Sequence, residues 1–428
     1  MGLLNILAQR RPHIFYGWWI AVAFFVINFY WSGVLVTGFT AFFNPWKEEF
    51  QLSSSTTSLA FSLQQGMAAV GAVVVGVLFD RFGGRRLMLL ATALGSSGLI
   101  LLSISSSAWG FFLSFVVLSV GYTIFYAGIG PALAAIWFRR HLGKANGLLL
   151  SGSNLGGALA PLLVWIIDTY SWRTAAVASA IGLAMIGIPT SLMLRHRPQQ
   201  YGLLPDGDPP RPRVTAAQVT AQHPEVLFGE GDGDDFALRE AIRTWAFWSI
   251  ALAQALAVFG LVAVYVHILP HLENEGFSRA TGARVIAMVT VLGLVTRFGF
   301  GWLGDLADKR LVLAFTYVFQ GLGILSLAYV DNTWTLVLFI IVYGLAAGSF
   351  FAVLFSLLAE YFGRLHIGVI QGVVLAPYAL GAIFGPYLAG VAFDATESYV
   401  WVFIAFGCAT FLSAPVVLSA RRPAKRHT

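Results

Sequence analysis

The sequence predicts an all-α membrane protein of twelve transmembrane helices, arranged as two six-helix bundles related by a pseudo-twofold axis. Three observations carry that expectation. Of 428 residues, 58% are hydrophobic and only 11% charged, and the mean hydropathy is +0.77, whereas about a quarter of the residues of a soluble chain are charged. Apolar runs of about 20 residues or more, the length that crosses a hydrocarbon core as a helix, recur along the chain. The two halves also repeat at a fixed shift.

Taken in order, the expected spans are 15–43, 55–79, 86–106, 108–138, 143–167 and 172–194, then 244–269, 279–304, 311–330, 333–361, 366–392 and 398–420. The first follows Arg10, Arg11 and His13 but is too long for a signal-peptide core and has no small-residue cleavage site behind it, so it is expected to be retained. Residues 195–243 form a polar linker whose middle, Leu204 to Asp235, is rich in Pro, Gly and Asp and reads as flexible; Asp235–Thr244 reads as a short surface helix. The domains are therefore 1–194, the linker 195–243, and 244–428.

Lys and Arg concentrate on the cytoplasmic side of membrane proteins. With the N-terminus inside, 21 of the 26 basic residues fall in inside segments and four outside, namely Lys47, Arg173, Arg279 and Arg284. Both termini and the linker are then cytoplasmic. The pI near 9.5 follows from this topology and is no sign of a nucleic-acid partner. The single cysteine, Cys408, excludes disulfide frameworks and cysteine-metal sites. No nucleophile triad, phosphate loop or metal-ligand set is present, so neither an enzyme nor a cofactor is expected.

At a shift of 225, Gly76 pairs with Gly301, Asp80 with Asp305, Arg85 with Arg310, Arg139 with Arg364, Gly147 with Gly372, Gly156 with Gly381 and Pro161 with Pro386. Two parallel six-helix repeats imply a pseudo-twofold along the membrane normal, a central site between the halves and rocking as the working motion.

The same residues carry a resemblance. Gly76-Val-Leu-Phe-Asp80-Arg81-Phe-Gly83-Gly84-Arg85-Arg86, echoed by Gly301-Trp-Leu-Gly304-Asp305-Leu-Ala-Asp308-Lys309-Arg310, resembles the cytoplasmic loop signature of the major facilitator superfamily. The resemblance implies that Asp80, Arg81, Arg85, Arg139, Asp305 and Arg310 latch the halves on the cytoplasmic side. The stretch from Trp137 through Arg139, Lys144 and Gly147 to Gly152, with Gly17-Trp18-Trp19, is similar to signatures of monocarboxylate and oxalate/formate transporters. The acidic residue of the eukaryotic first-helix signature is absent; Phe15 and Tyr16 stand there.

One charge escapes the topology. Arg297 maps by the repeat onto Ala72, so the scaffold did not require it. It lies eight residues before Asp305, about 12 Å into a core about 30 Å thick. An Arg there costs at least about 2.5–3.5 kcal/mol unless it is paired or faces water, and none of the twenty acidic residues falls at mid-membrane. A guanidinium without a protein counter-ion can take an external carboxylate bidentately, making the cargo its counter-ion. The resemblance implies the same role, since those transporters carry a carboxylate-binding Arg in helix 8. Their Asp four residues earlier is Gly293 here, and in helix 11 only Gln371 and Tyr378 stand as long polar residues, without a Lys. One fixed charge suits one carboxylate.

Further candidates for substrate contact are Tyr126, Tyr122, Asn28, Asn154 and Tyr378, with Phe351 as apolar wall, while His267 is a candidate proton relay or outer gate. The expected function is alternating-access transport of a small monocarboxylate such as lactate or pyruvate, with proton symport as the coupling. An anion exchanger or amphipathic drug exporter on the same scaffold is the nearest alternative, and a non-transporting membrane sensor the alternative from another class. The expected setting is the plasma membrane, the inner membrane in a bacterium, and the family default is a monomer.

Overall fold

The computed structural model describes residues 15–423 except 196, 202, 208–235, 349 and 364–366; within helices, the side chains of residues such as Asp305 and Phe351 are also outside the described set. The described chain is helical, with short 3-10 turns and no strand. Among the described residues, ten helices are long and apolar enough to cross a membrane. The second span, bent by 58° between Ser54–Ala72 and Val74–Phe82, makes an eleventh, and two shorter apolar helices, Thr333–Ala346 and Val353–Phe362, build the tenth span of the sequence reading. The protein is an integral membrane protein, as its composition required.

Several spans are broken. The first divides into Tyr16–Leu35 and Phe39–Glu49, the fourth into Ala108–Tyr126 and Ile129–Trp137, the fifth into Leu142–Leu155 and Ala160–Thr169, the tenth into Thr333–Ala347 and Phe350–Phe362, and the eleventh into Ile367–Val374 and Ala376–Thr396. In the fourth, Gly128 sits at φ +88°, a left-handed backbone that only glycine adopts without strain. The tenth breaks at Gly348, where an added Cβ would lie on the carbonyl oxygen of Gly293 in the eighth span. Of the linker's middle, expected to be flexible, Leu204 to Gly207 are described and include the turn Pro205–Gly207, whereas residues 208–235 lie outside the described set; the linker's end forms the short helix Leu238–Ala241 ahead of Trp245–Asn274.

The repeat reappears in the architecture. Helices begin at Ser54 and Arg279, at Gly84 and Lys309, at Ala108 and Thr333, and at Leu142 and Ile367, each pair 225 apart. The packing repeats as well. Spans 1 and 5 pack as 7 and 11 do, 2 and 4 as 8 and 10, 3 and 6 as 9 and 12. Between the halves, span 2 meets span 11 and span 5 meets span 8. Side-chain caps anchor several starts: Ser53, Ser107 and Ser171 in the first half, Thr244, Asp308 and Asn332 in the second.

The core of the first half is aromatic at its outer end. Phe39 and Trp46 pack against each other and against Phe61, Phe111 and Phe115, and Phe42 stacks on Trp46, with ring centroids about 5–6 Å apart, a spacing at which such rings attract beyond simple burial. The second half has its own cluster nearer the basic loops, around Phe247, Tyr317, Leu354, Leu357 and Phe362.

Candidate functional site

Two seams between the halves define where a cargo could sit. Along the outer one, Asp394 accepts backbone N–H groups from Ser54 and Ser55 at 2.8 Å each, and Ser58 Oγ lies 3.1 Å from His267 Nε2. Ser62 donates to the Ile383 carbonyl, Thr40 accepts from the Leu269 amide, and Asn44 donates to Glu273. Arg279 reaches Asp168 at 3.2 Å, Glu273 at 2.9 Å and the Ala41 carbonyl. These bonds across the halves all lie in the outer part of the molecule.

Toward the basic loops the halves part. Asp80, Arg81, Arg85 and Arg139 are exposed. Arg310 holds Asp308 at 2.7 Å and the Ala420 carbonyl at 3.2 Å, both in its own half, and this ion pair keeps the Asp308 carboxyl below the usual carboxylate range. The Asp305 side chain lies outside the described set. Among the described residues, none of the expected latch group touches the opposite half. Among the described residues, bonds between the halves close the outer side, and none of the latch residues makes one on the basic side.

Arg297 is half-buried and makes no hydrogen bond or ion pair with any described residue. Its direction follows from helix geometry. On the eighth span Thr290 and Ile286 meet Gly157 of the fifth; Arg297 is seven residues after Thr290, about 20° short of two full turns, and so projects from the same face. Asn154 lies one turn before Gly157 on the facing helix and has a buried amide nitrogen without a partner among the described residues. Arg297 and Asn154 therefore line one seam. The opposite face of the eighth span packs on the tenth, where Thr296 Oγ1 is 3.3 Å from the Gly344 carbonyl.

A tyrosine cluster stands beside this seam. Tyr122 and Tyr126 have ring centroids 4.3 Å apart. Tyr122 lies within electrostatic reach of Tyr378 and Gln64, Tyr126 of Ser32 and Tyr265, and Tyr343 of Tyr265 and Tyr378. Both halves thus contribute hydroxyls to one region. The Tyr343 hydroxyl is buried without a partner among the described residues, as are Gln64 Oε1 and Asn28 Oδ1, whereas buried polar atoms are ordinarily satisfied. Tyr265 and Tyr343 also line a small cavity of about 30 Å³ with Thr37, Thr40, Val264 and Thr290.

The other sequence candidates divide. Asn28 spends its amide nitrogen on the Leu149 carbonyl at 3.0 Å, tying the first span to the fifth. Tyr378 belongs to the cluster, and the Phe351 side chain lies outside the described set. His267 is fully buried in the outer seam. Tyr265 was not among the sequence candidates for substrate contact; its position two residues before His267 on one span was its only signal.

The family model of the Major Facilitator Superfamily matches residues 18–329 and 285–428. Monocarboxylate transporter 11 of Mus musculus is 29% identical over 416 residues, 93% of this chain and 85% of that protein. Monocarboxylate transporter 13 of Bos taurus is 27% identical, over 94% and 89%. Among solved structures, a bacterial homologue of the human lysosomal transporter Spinster superposes with a TM-score of 0.68 at 14% identity, covering 96% of each chain. The nucleoside transporter NupG does so with a TM-score of 0.69 at 14% identity, over 95% of this chain and 99% of that one.

Proposed function

The chain belongs to the major facilitator superfamily and is a transporter of that type, and we propose that its cargo is a small organic anion with one carboxylate, of the lactate or pyruvate kind. The observation that carries the reading is Arg297: a half-buried guanidinium near mid-span, turned toward the seam between the halves, with no partner among the described residues. It would bind the carboxylate as a two-pronged donor. Asn154 would share the anion across the seam, and Tyr126, Tyr122 and Tyr378 would add hydroxyls and ring faces around the cargo's short tail. The names of the relatives support the substrate class.

The transport cycle then follows from the two seams. In the closed-outside form described here, cargo exchanges with the basic side; the concentration of Lys and Arg there supports a cytoplasmic orientation, and the proposed setting is a plasma membrane, the inner one in a bacterium. The two six-helix bundles, joined by the linker 195–243, rock to part the outer seam while Asp80, Arg81, Arg85, Arg139, Asp305 and Arg310 join the halves on the basic side. Proton symport is the proposed coupling and a monomer the proposed working unit. Since no acidic residue falls at mid-membrane, the proton would enter with the cargo or through His267.

A thermal-shift and uptake screen of mono- and dicarboxylates at two pH values tests the reading on the wild type and on Arg297→Gln. Stabilisation by lactate or pyruvate that disappears in the variant is the expected result. A carboxylate response that survives the substitution would remove Arg297 from the site.

A further inference from the structure

His267 is a titratable group buried to 0% exposure at the contact between the two halves, away from the central site. Its hydrogen bonds span the seam. Nε2 lies 2.9 Å from the Pro386 carbonyl of the eleventh span, in its own half, and 3.1 Å from Ser58 Oγ of the second span, in the other. The Ser58 hydroxyl gives its own proton to the Ser54 carbonyl at 2.7 Å, so toward His267 its oxygen is an acceptor. Both neighbours of Nε2 accept, which fixes Nε2–H as the protonated nitrogen. Nδ1 is then the acceptor, 3.2 Å from the Tyr399 hydroxyl. A neutral imidazole satisfies this arrangement completely.

The surroundings decide what a second proton would do. From the first span come the Phe43 ring, at 5.0 Å, and Lys47; from the seventh, His271; from the eleventh, Asp394; and from the start of the twelfth, Tyr399. Tyr399 also lies against the Ser54 side chain, and the Ser54 backbone N–H is held by the exposed Asp394 carboxylate. Tyr399 thus stands between Nδ1 and the start of the second span, whose Ser54 backbone the exposed Asp394 carboxylate holds. When a proton enters from the outer surface, Nδ1 takes the Tyr399 hydroxyl proton and the Tyr399 oxygen takes the incoming one. One proton is gained and no heavy-atom bond changes. The imidazolium so formed would face one carboxylate against Lys47 and a second imidazole, in a seam without solvent. Burying a charge with so little compensation is unfavourable, and parting the seam gives it water.

We propose that His267 is a proton-binding site built into the outer seam, and that its protonation favours the open seam, so that acid outside the membrane turns the carrier outward. The inference goes beyond the cargo assignment and needs from it only that the seam opens and closes.

Spin labels at Gln51 and Thr333, exposed outer-end positions in opposite halves, report the opening in a Cys408→Ser background without any cargo present. Between about pH 8 and about pH 5 the ratio of long to short distances should rise roughly fivefold or more in the otherwise wild-type protein. His267→Gln, which keeps one donor for Pro386, should be flat over the same range. Ser58→Ala keeps the imidazole but removes its acceptor across the seam, and should raise the open fraction at every pH while preserving the pH response. A flat wild type, a pH response retained in His267→Gln, or an unchanged open fraction in Ser58→Ala would each overturn the proposal. Uptake of labelled lactate by the same proteins is read separately, so a failed cargo assignment and a failed proton site give different results.

Discussion

The carboxylate of Asp394, at the end of the eleventh span, sits on the N-terminus of the second span, 2.8 Å from the backbone nitrogen of Ser54. A helix N-terminus presents unpaired N–H groups and a partial positive charge, so an anion there is held twice over. The pseudo-twofold axis supplies a counterpart with different chemistry. Arg279 begins the eighth span 225 residues after Ser54, and its guanidinium meets Asp168 near the end of the fifth span at 3.2 Å. Each half therefore offers one carboxylate to the first turn of a helix in the other, and the outer seam is closed from both sides.

Removing one of these carboxylates should loosen the seam without unfolding either bundle, because Asp394 is exposed and packs in no core. Hydrogen bonds to a charged group contribute about 1.5–3 kcal/mol each. Asp394→Asn leaves an oxygen for one N–H and removes the charge. It is expected to raise the open population by about tenfold, since 1.4 kcal/mol corresponds to that ratio. Labelling of a cysteine placed at Ser62, deep in the seam, measures it; an unchanged rate would show that the cap holds no part of the gate.

At the centre, shape should matter as much as charge. Arg297→Lys keeps one positive charge at the same turn of the eighth span but replaces a planar fork with a point donor. Counterflow of lactate in proteoliposomes is expected to fall by at least about tenfold, the cost of one charge-assisted hydrogen bond. Equal flux with Lys would mean that charge alone recruits the anion.

The basic face should behave in the opposite sense to the outer one. Asp80 is exposed here and has no partner in the other half among the described residues. Asp80→Asn should leave the melting temperature of this form unchanged, yet lower the population of the outward-open form in which that face closes. A lower melting temperature in the form open on the basic side would instead mark Asp80 as a structural residue.

How much of this was legible beforehand depends on the range of the signal. The start of each helix pair follows local apolar runs and the 225-residue repeat, so Ser54, Gly84, Ala108 and Leu142 and their mates could be placed from sequence to within a few residues. The breaks could not. At the interruption, Gly348 lies so close to the Gly293 carbonyl that no Cβ would fit, a contact between two spans that apolar periodicity does not encode. The same limit hid the outer seam. Counting Asp168, Glu273, Arg279 and Asp394 as outside charges gave the topology, but nothing local says that residues more than a hundred positions apart pair. Arg297 was visible because it broke a pattern, and Tyr265 was not because an apolar span tolerates a tyrosine anywhere.

On the basic face, pH should act through Asp206 at the beginning of the linker. Partial burial opposes its charge, but the backbone N–H groups of Arg140, Arg139 and His141 outweigh that and hold the carboxyl below the ordinary range; the first two lie at 2.9 Å. A carboxyl depressed in the folded state contributes stability above its unfolded value of about 3.9 and loses it as pH falls through the lower folded value. The linker start should thus stay docked at neutral and mildly acidic pH and release only in strong acid. Asp206→Asn suits the left-handed backbone at φ 60° but removes the charge, and should expose the 139–141 amides to hydrogen exchange at neutral pH. Protection equal to the wild type would assign the docking to packing alone.

Some glycines hold the present form and others serve the opposite one. A Cβ at Gly348 would fall 1.5 Å from the Gly293 carbonyl oxygen, and backbone on both sides cannot yield. Gly348→Ala should therefore cost more than the usual 1–3 kcal/mol of overpacking and lower both yield and melting temperature. Gly147 and its repeat mate Gly372 have open space around the same added atom among the described residues. Since both stand on helices beside the parted basic face, Gly147→Leu should leave the stability of this form within about 0.5 kcal/mol of the wild type. It should nonetheless slow counterflow, because closing that face requires the halves to approach where the side chain would stand. A variant with wild-type flux would mean that the helices carrying these glycines do not meet in the cycle.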